Sequence, residues 1–550
     1  MHSSAKTSIH RGRIVDLHAR RIFPGEIEVT KGFISDVRES NSMPDSEGFL
    51  CPGFIDAHVH IESSMLPPAE FARLAVIHGT VGTVSDPHEV ANVLGIDGVR
   101  AMQRMAMDTP CKIHFGIPSC VPATSYETAG ASMNSAVIEE LCQDSSLVYL
   151  AEMMNFPGVV QRDPEVMAKL EVAKKYGKKI DGHAPGLHGD QLRRYVEAGI
   201  TTDHECTEID EAREKLSLGQ KILIREGSAA KNFDALWPIL LDHPESCMFC
   251  SDDKHPDDLM LGHINQLCAR AVAAGVPLFD VLHAACVNPV QHYGLQSGIL
   301  RRGDAADFVR LANLESFTVL ETWIDGACVA KNGKSLLPTT RASHVNRFHC
   351  NPKSAADFAV PAPDSTANIR VIEVIDGSLI TGSSKMCASV ENGFAVADPL
   401  KDLLKIAVVN RYHDAAPAVA FVRGVGLKSG AIASSVAHDC HNIVVVGCDD
   451  EALAQAVNLI IGARGGISAT AEGNDHLLAL PIAGLMSDEP AEEVANGYAT
   501  LSKRAHELGS KLHAPYMTLS FLALLVIPSL KLSDLGLFDG ENFKFTDCFV

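Results

Sequence analysis

The chain has 550 residues, too many for one compact core, so two or three domains are expected. Apolar residues make up 46% and charged residues 21%, the profile of an ordinary soluble globular protein. A formal net charge of −21 argues against a general binder of nucleic acid or of an anionic membrane surface, since both need a positive face.

The first residues, "MHSSAKTSIHRGRIVDLHARR", are polar and lack an apolar h-region, so no secretory signal is read and a cytoplasmic setting is expected. Fifteen cysteines, an odd number without a disulfide-like framework, fit reduced thiols. Up to about Cys51 the chain holds short β-rich pieces, "RIVDL", "EIEVT" and "FISDV", separated by turn residues.

From Pro52 the pattern changes to apolar runs alternating with longer helix-like stretches such as "PEVMAKLEVAKKYGKK". The runs are "GFIDAHVH", "GTVGTVSDP", "KIHFGIPS", "LVYLAEMMN", "KKIDGHAPG", "GITTDHE", "KILIREGS" and "SCMFCSDD". Eight strand–helix units over roughly 230 residues have the count and size of a TIM-type (β/α)8 barrel. A doubly wound open sheet also alternates strands and helices. The position of the reactive side chains decides between them. His58, His60, Asp86, Glu152, His183, His204, Glu226 and Asp252 all stand near the ends of their runs. In a barrel those ends meet at one mouth; in an open sheet they would be strung along an edge.

The expected organisation is an α/β chain whose barrel covers residues 52–296. A small flanking β-domain is assembled from residues 1–51 and 297–345, where "GILRRGDAADFVRL" and "VLETWIDGACVAKNGK" read as returning strands. Residues 346–368, rich in Pro, Ser and Ala, read as a linker, and 369–550 as a C-terminal α+β domain. The apolar run "MTLSFLALLVIPSL" is shorter than the roughly 20 residues of a spanning helix and is interrupted by Pro528, so it reads as buried core.

His58 and His60 lie two apart and so share one strand face, from which both can reach one metal. Alone, such a pair is weak evidence. Single histidines end the fifth and sixth runs (His183, His204), and carboxylates end the fourth and eighth (Glu152, Asp252). Four imidazoles and two carboxylates are enough donors for two divalent ions sharing a bridging group. A donor set without thiolate favours Zn, Mn or Fe. "SDPHEVANV" places Asp86, His88 and Glu89 on a loop at the mouth, where they contact substrate or a further metal or are ordinary turn residues.

"GFIDAHVHIE", the fourth-strand carboxylate, the histidines on strands five and six and the eighth-strand Asp resemble the amidohydrolase superfamily. Within it, "HVHIESSM", "GTVGTVSDPHEVANVLG", "AEMMNFPGV" and "AHDCHNIVVVG" together resemble the bacterial adenine deaminases, over most of the chain. The resemblance implies that His58 and His60 bind a first metal, His183 and His204 a second, and Glu152 bridges them. The cofactors implied are two divalent ions, Mn or Fe foremost and Zn as an alternative. It further implies that a hydroxide held between the cations attacks C6 of adenine, giving hypoxanthine and ammonia, while Asp252 coordinates a metal and shuttles protons.

Glu62, on the same strand face as His58 and His60, is the first candidate to hold or protonate the purine ring; its alternative is to orient a ligand histidine. Asp253, beside Asp252, is read as supporting or solvent-facing. "SSVAHDCHN" sets His438, Asp439, Cys440 and His441 on a loop that closes over the site, with His441 a candidate substrate contact, or on a plain polar turn before a strand. The partner expected is a small purine base, with neither nucleic acid nor membrane, and the assembly expected is a homo-oligomer, a dimer or larger.

Other signals fall away. The H-x-E of His60–Glu62 has no following P-C-x-x-C, which the other zinc class of base deaminases needs. The Cys247–Cys250 pair lies inside an apolar run and reads as core. Competing functions are a cyclic amide hydrolase on the same scaffold and a non-catalytic scaffold, the latter disfavoured because all six ligand positions are filled.

Overall fold

The computed structural model describes residues 7–40, 48–471 and 473–550. Eight short parallel strands are formed by Phe54–Val59 (β1), Thr80–Ser85 (β2), Lys112–Ile117 (β3), Tyr149–Met153 (β4), Lys179–Gly182 (β5), Thr202–Asp203 (β6), Lys221–Arg225 (β7) and Cys247–Cys250 (β8). These are the eight runs read from the sequence. Every residue of β1, β2, β4 and β8 is buried, as strands covered on both faces must be. Continuous apolar runs, rather than alternating ones, follow from that double covering.

β1 to β5 pair in sequence order, and so do β6 to β8. The Thr201 N–H donates to the Ile180 carbonyl at 2.8 Å and links β5 to β6. Closure comes from the Asp252 N–H, which donates to the His58 carbonyl at 2.9 Å, beside a parallel bridge between Val59 and Asp252. The sheet is therefore a closed barrel, and its C-terminal strand ends share one mouth. Helices cover the outside. One of them, Pro164–Lys175, starts with Pro at its first position and is capped by Asp163, whose carboxylate accepts from the Glu165 and Val166 amides.

The N-terminal strands and the strands after the barrel form one eight-stranded sheet. Its seam is Phe49–Pro52, paired antiparallel with Phe308–Leu311. A second eight-stranded sheet spans Asn368–Glu373 to Asn474–Ala479, with helices Asp450–Ala463 and Ala491–Glu507 packed on it. Residues 346–368, read as a linker, lie along this region: Phe348 and Phe358 are buried with Val409, Val445 and Leu453. Two aromatic side chains outweigh a composition otherwise typical of linkers. The run "MTLSFLALLVIPSL" supplies the helix Pro515–Phe521, buried throughout. Among the described residues no helix is long and apolar enough to cross a membrane.

The C-terminal region sits on the barrel mouth through specific bonds. Ser487 N–H donates to the Met65 carbonyl (2.8 Å), Ala491 N–H to Glu70 Oε2 (2.9 Å) and Asn442 Nδ2 to the Thr128 carbonyl (2.9 Å).

Candidate metal centre

The site begins at the end of β1. Asp56 accepts from the Ser251 amide at 2.9 Å and lies 2.8 Å from His263 Nε2, tying β1 to β8 beneath the mouth. Above that tie, His58 and His60 present their Nε2 atoms to each other at 3.1 Å. His60 Nδ1 lies 3.2 Å from the Asp86 carbonyl oxygen, an acceptor only, so Nδ1 carries the hydrogen. Burial is outweighed by the Asp252 and Glu152 carboxylates beside Nε2, which raise the imidazole well above its usual range, so a cation there would take the place of the Nε2 proton. Burial, with the His204 and His60 rings adding to it, holds His58 well below the usual imidazole range and so neutral. Two buried imidazole nitrogens facing at this distance are the arrangement that a shared cation stabilises.

Glu152, at the end of β4, spans two histidine groups. Its Oε1 lies 3.2 Å from His60 Nε2, and its Oε2 lies 2.6 Å from His183 Nδ1 and 3.2 Å from His204 Nε2. Burial opposes its ionisation, but His183 and His204 outweigh that and hold the carboxyl well below its ordinary value. Asp252 follows β8. Its Oδ1 lies 3.3 Å from His60 Nε2 and 3.6 Å from His58 Nε2, while Oδ2 accepts from Arg225 Nη1 at 2.5 Å. Here too burial is overcome, by the Arg225 guanidinium and the His60 contact, and Asp252 is held ionised.

Among the donor groups whose ligand atoms lie within 4.8 Å of one another are His58, His204 and Asp252; Glu152, His183 and His204; and His60, Asp86, His88 and Glu152. The donors are imidazoles and carboxylates without thiolate, and every one is buried. This set fits divalent cations of the Zn, Mn or Fe kind.

The loop after β2 divides its three candidates. Asp86 Oδ2 lies 3.0 Å from His88 Nδ1, and the His88 ring meets His60 edge-on at 4.6 Å, so both face the centre. Glu89 also borders the cavity, with its Oε1 3.5 Å from His88 Nε2. It lies between two histidines of the C-terminal region, 2.6 Å from His438 Nδ1 and against His441 Nε2. Glu62 departs from the geometry expected of it: β1 stops at Val59 and residues 61–64 form a 3-10 turn, so strand alternation does not carry it onto the face of His58 and His60. Its Oε1 instead accepts the Val90 N–H at 3.2 Å, and burial raises its carboxyl to about 7. His441 lies behind Glu89, where its Nδ1 accepts from the Ala437 amide at 3.3 Å; His438 is the histidine of that loop on the cavity wall. Asp253 accepts from Ser63 Oγ at 2.5 Å and also borders the cavity.

Two residues absent from the sequence reading, Arg225 and Glu205, complete the electrostatics. Arg225 Nη2 donates to Glu205 Oε2 at 2.9 Å while Nη1 bonds both Glu205 and Asp252. The signal was in β7. Ile222 and Ile224 pack with the helix residues Leu216 and Leu236, whereas Leu223 packs with Tyr149 and Met248, so Arg225 shares the inner face. Glu226, read as a mouth residue, points away and pairs with Arg270 at 2.5 Å.

A cavity open to solvent lies above these groups. Metal-facing residues form its floor, and Leu379, Phe521, Leu524 and Ile527 of the C-terminal region add an apolar wall.

Residues 49–329 match the amidohydrolase family, and residues 378–544 match the adenine deaminase C-terminal domain. The adenine deaminase of Salinibacter ruber is 55% identical over 98% of both chains. That of Sulfurovum sp. is 54% identical over 98% of this chain and 99% of its own, and that of Borreliella burgdorferi 45% identical over 97% and 98%. With its barrel, its histidine–carboxylate centre and similarity over nearly its whole length, the chain belongs to the amidohydrolase family and, within it, to the adenine deaminases.

Proposed function

We propose that this protein hydrolyses adenine to hypoxanthine and ammonia. Water supplies the oxygen that replaces the amino group at C6; one of its protons leaves on the amine as ammonia and the other ends on ring N1 of the hypoxanthine. The observation that carries the reading is Glu152. One carboxylate reaches His60 through one oxygen and His183 and His204 through the other, at the floor of the cavity.

In this reading His58 and His60 would hold one divalent cation and His183 and His204 the other, with Glu152 shared between them. Mn or Fe are the favoured ions, and the same donors accept Zn. When bound, the pair activates water at neutral pH and polarises the reacting centre. Asp252, held ionised by Arg225, takes a proton from the attacking water and delivers it to the departing amine. Arg225 also fixes its rotation, since Oδ2 is committed to the guanidinium while Oδ1 faces the histidines. Glu62 braces the first turn of the helix His88–Leu94 through Val90, and so sets the orientation of His88 toward His60.

Ammonia release from adenine, adenosine, dihydroorotate and hydantoin by protein loaded with two equivalents of Mn or Fe tests the reading. Release from adenine is expected. Hydrolysis of a cyclic amide in its place would assign the other activity of this scaffold, and inertness toward all four would remove the proposal.

A further inference from the structure

The loop of residues 435–442 places one more imidazole at the cavity, and the chemistry above does not use it. His438 is buried, and its Nδ1 lies 2.6 Å from Glu89 Oε1. Its ring is stacked on Phe521, with centroids 4.6 Å apart and planes inclined by 13°. The first contact sets the direction of the imidazole and the second sets its plane. With Nδ1 turned to Glu89, Nε2 is the remaining polar atom, and among the described residues it forms no hydrogen bond or ion pair with protein. His438 borders the same cavity as Glu152 and Asp252. Burial alone would lower its pKa; the Glu89 carboxylate overrides burial and lifts it to about 9, so Nε2 carries a hydrogen at neutral pH.

A fixed donor on the wall of a cavity that also has an apolar side is how a protein orients a flat heteroaromatic ligand. We propose that His438 is a substrate-contacting residue, with Nε2 donating to a ring nitrogen of the 6-aminopurine and Glu89 serving as the positioning residue behind it. This rests on the deaminase reading. It gives the C-terminal region a chemical part in recognition: the barrel supplies the cations and proton shuttle, and the second region supplies the donor that registers the base over them.

The test compares adenine with 1-deaza-, 3-deaza- and 7-deazaadenine as competing ligands, for the wild type and His438→Phe at two metal equivalents. Wild type should bind one of the three about 10- to 100-fold more weakly than adenine, the range of a charge-assisted hydrogen bond. In His438→Phe, adenine itself should lose that factor and discrimination against that one analogue should vanish, while metal content stays at two. His438→Gln, which keeps a donor, should recover most of the loss. His438→Asn, polar but too short for the same reach, carries the comparison if the Phe variant does not fold. Undiminished discrimination in the variants, or an equal loss for all analogues, overturns the proposal. The two readings fail separately: a wild type that releases no ammonia from adenine defeats the deaminase reading, whereas an active wild type matched by His438→Phe removes His438 alone.

Discussion

Asp252 shows how one side chain serves two purposes by dividing its oxygens. Oδ1 faces the histidines and Oδ2 is committed to Arg225. Asp252→Asn keeps the shape but cannot accept a proton, so turnover should fall by about 10²- to 10⁴-fold while most of the metal remains. Single-turnover rates alongside elemental analysis check this, and unchanged turnover removes Asp252 from the shuttle. Arg225→Met leaves two buried carboxylates without their counter-charge. Arg225 depresses the Asp252 pKa, and activity is lost as pH falls through that value. Without Arg225 the value rises, so the acid limb of the kcat/KM profile should move to higher pH; a limb that stays in place refutes the pairing argument. Glu152→Gln has the opposite signature from Asp252→Asn. An amide cannot bridge two cations, so bound metal should drop toward one equivalent or less, and two full equivalents in that variant would exclude the bridge.

The segment after β3 shows electrostatics acting on stability. Glu127 is buried beside Asp439 and Asp534 and accepts from Thr124 Oγ1 at 3.1 Å; burial, then the Asp439 charge, raises its carboxyl to about 8. Between an unfolded value of about 4.3 and this folded one, the native chain holds a proton that the unfolded chain releases. Stability from this group is complete below the lower value and is lost as pH rises through the upper one. Glu127→Gln keeps the neutral form at all pH, so its Tm should match wild type near about pH 4 and exceed it by a few degrees near about pH 9. A constant difference across pH would remove the ionisation argument. The same contrast between local pattern and tertiary setting governs what could be read from the sequence. All eight barrel strands were legible, because apolar runs ending in polar residues have one structural meaning when repeated eight times. Strand alternation does not reach Glu62, because the chain leaves the strand after Val59 for a 3-10 turn that composition does not signal. In β7, two adjacent polar residues compete for the inner face. The inner packing of Leu223 selects Arg225, a choice that only the closed barrel reveals. His438 stands within "SSVAHDCHN", but its place at the cavity depends on Glu89, some 350 residues earlier in the chain.

The largest apolar core does not respect the division between barrel and C-terminal region. Met65, Leu66 and Val90 of the barrel belong to the same buried cluster as Ile482, Met486 and Leu512. Polar ties run across the same boundary: Glu70 accepts from the Ala491 amide at 2.9 Å, and Arg73 pairs with Glu492 at 2.7 Å. Glu70 is fully buried, so removing its C-terminal partner would strip a buried carboxylate of one hydrogen bond as well as bare an apolar face. Both penalties fall on the barrel, whose mouth residues His88 and Glu89 stand on the helix that the C-terminal loop covers. The two regions should therefore unfold together. Calorimetry of the metal-loaded full chain should give one transition, and denaturant curves followed by far-UV ellipticity and by metal release should coincide. A barrel that melts in a separate step with its metals retained would show that the C-terminal region is an appended lid; coincident loss would show that the cavity exists only when both regions are folded against each other.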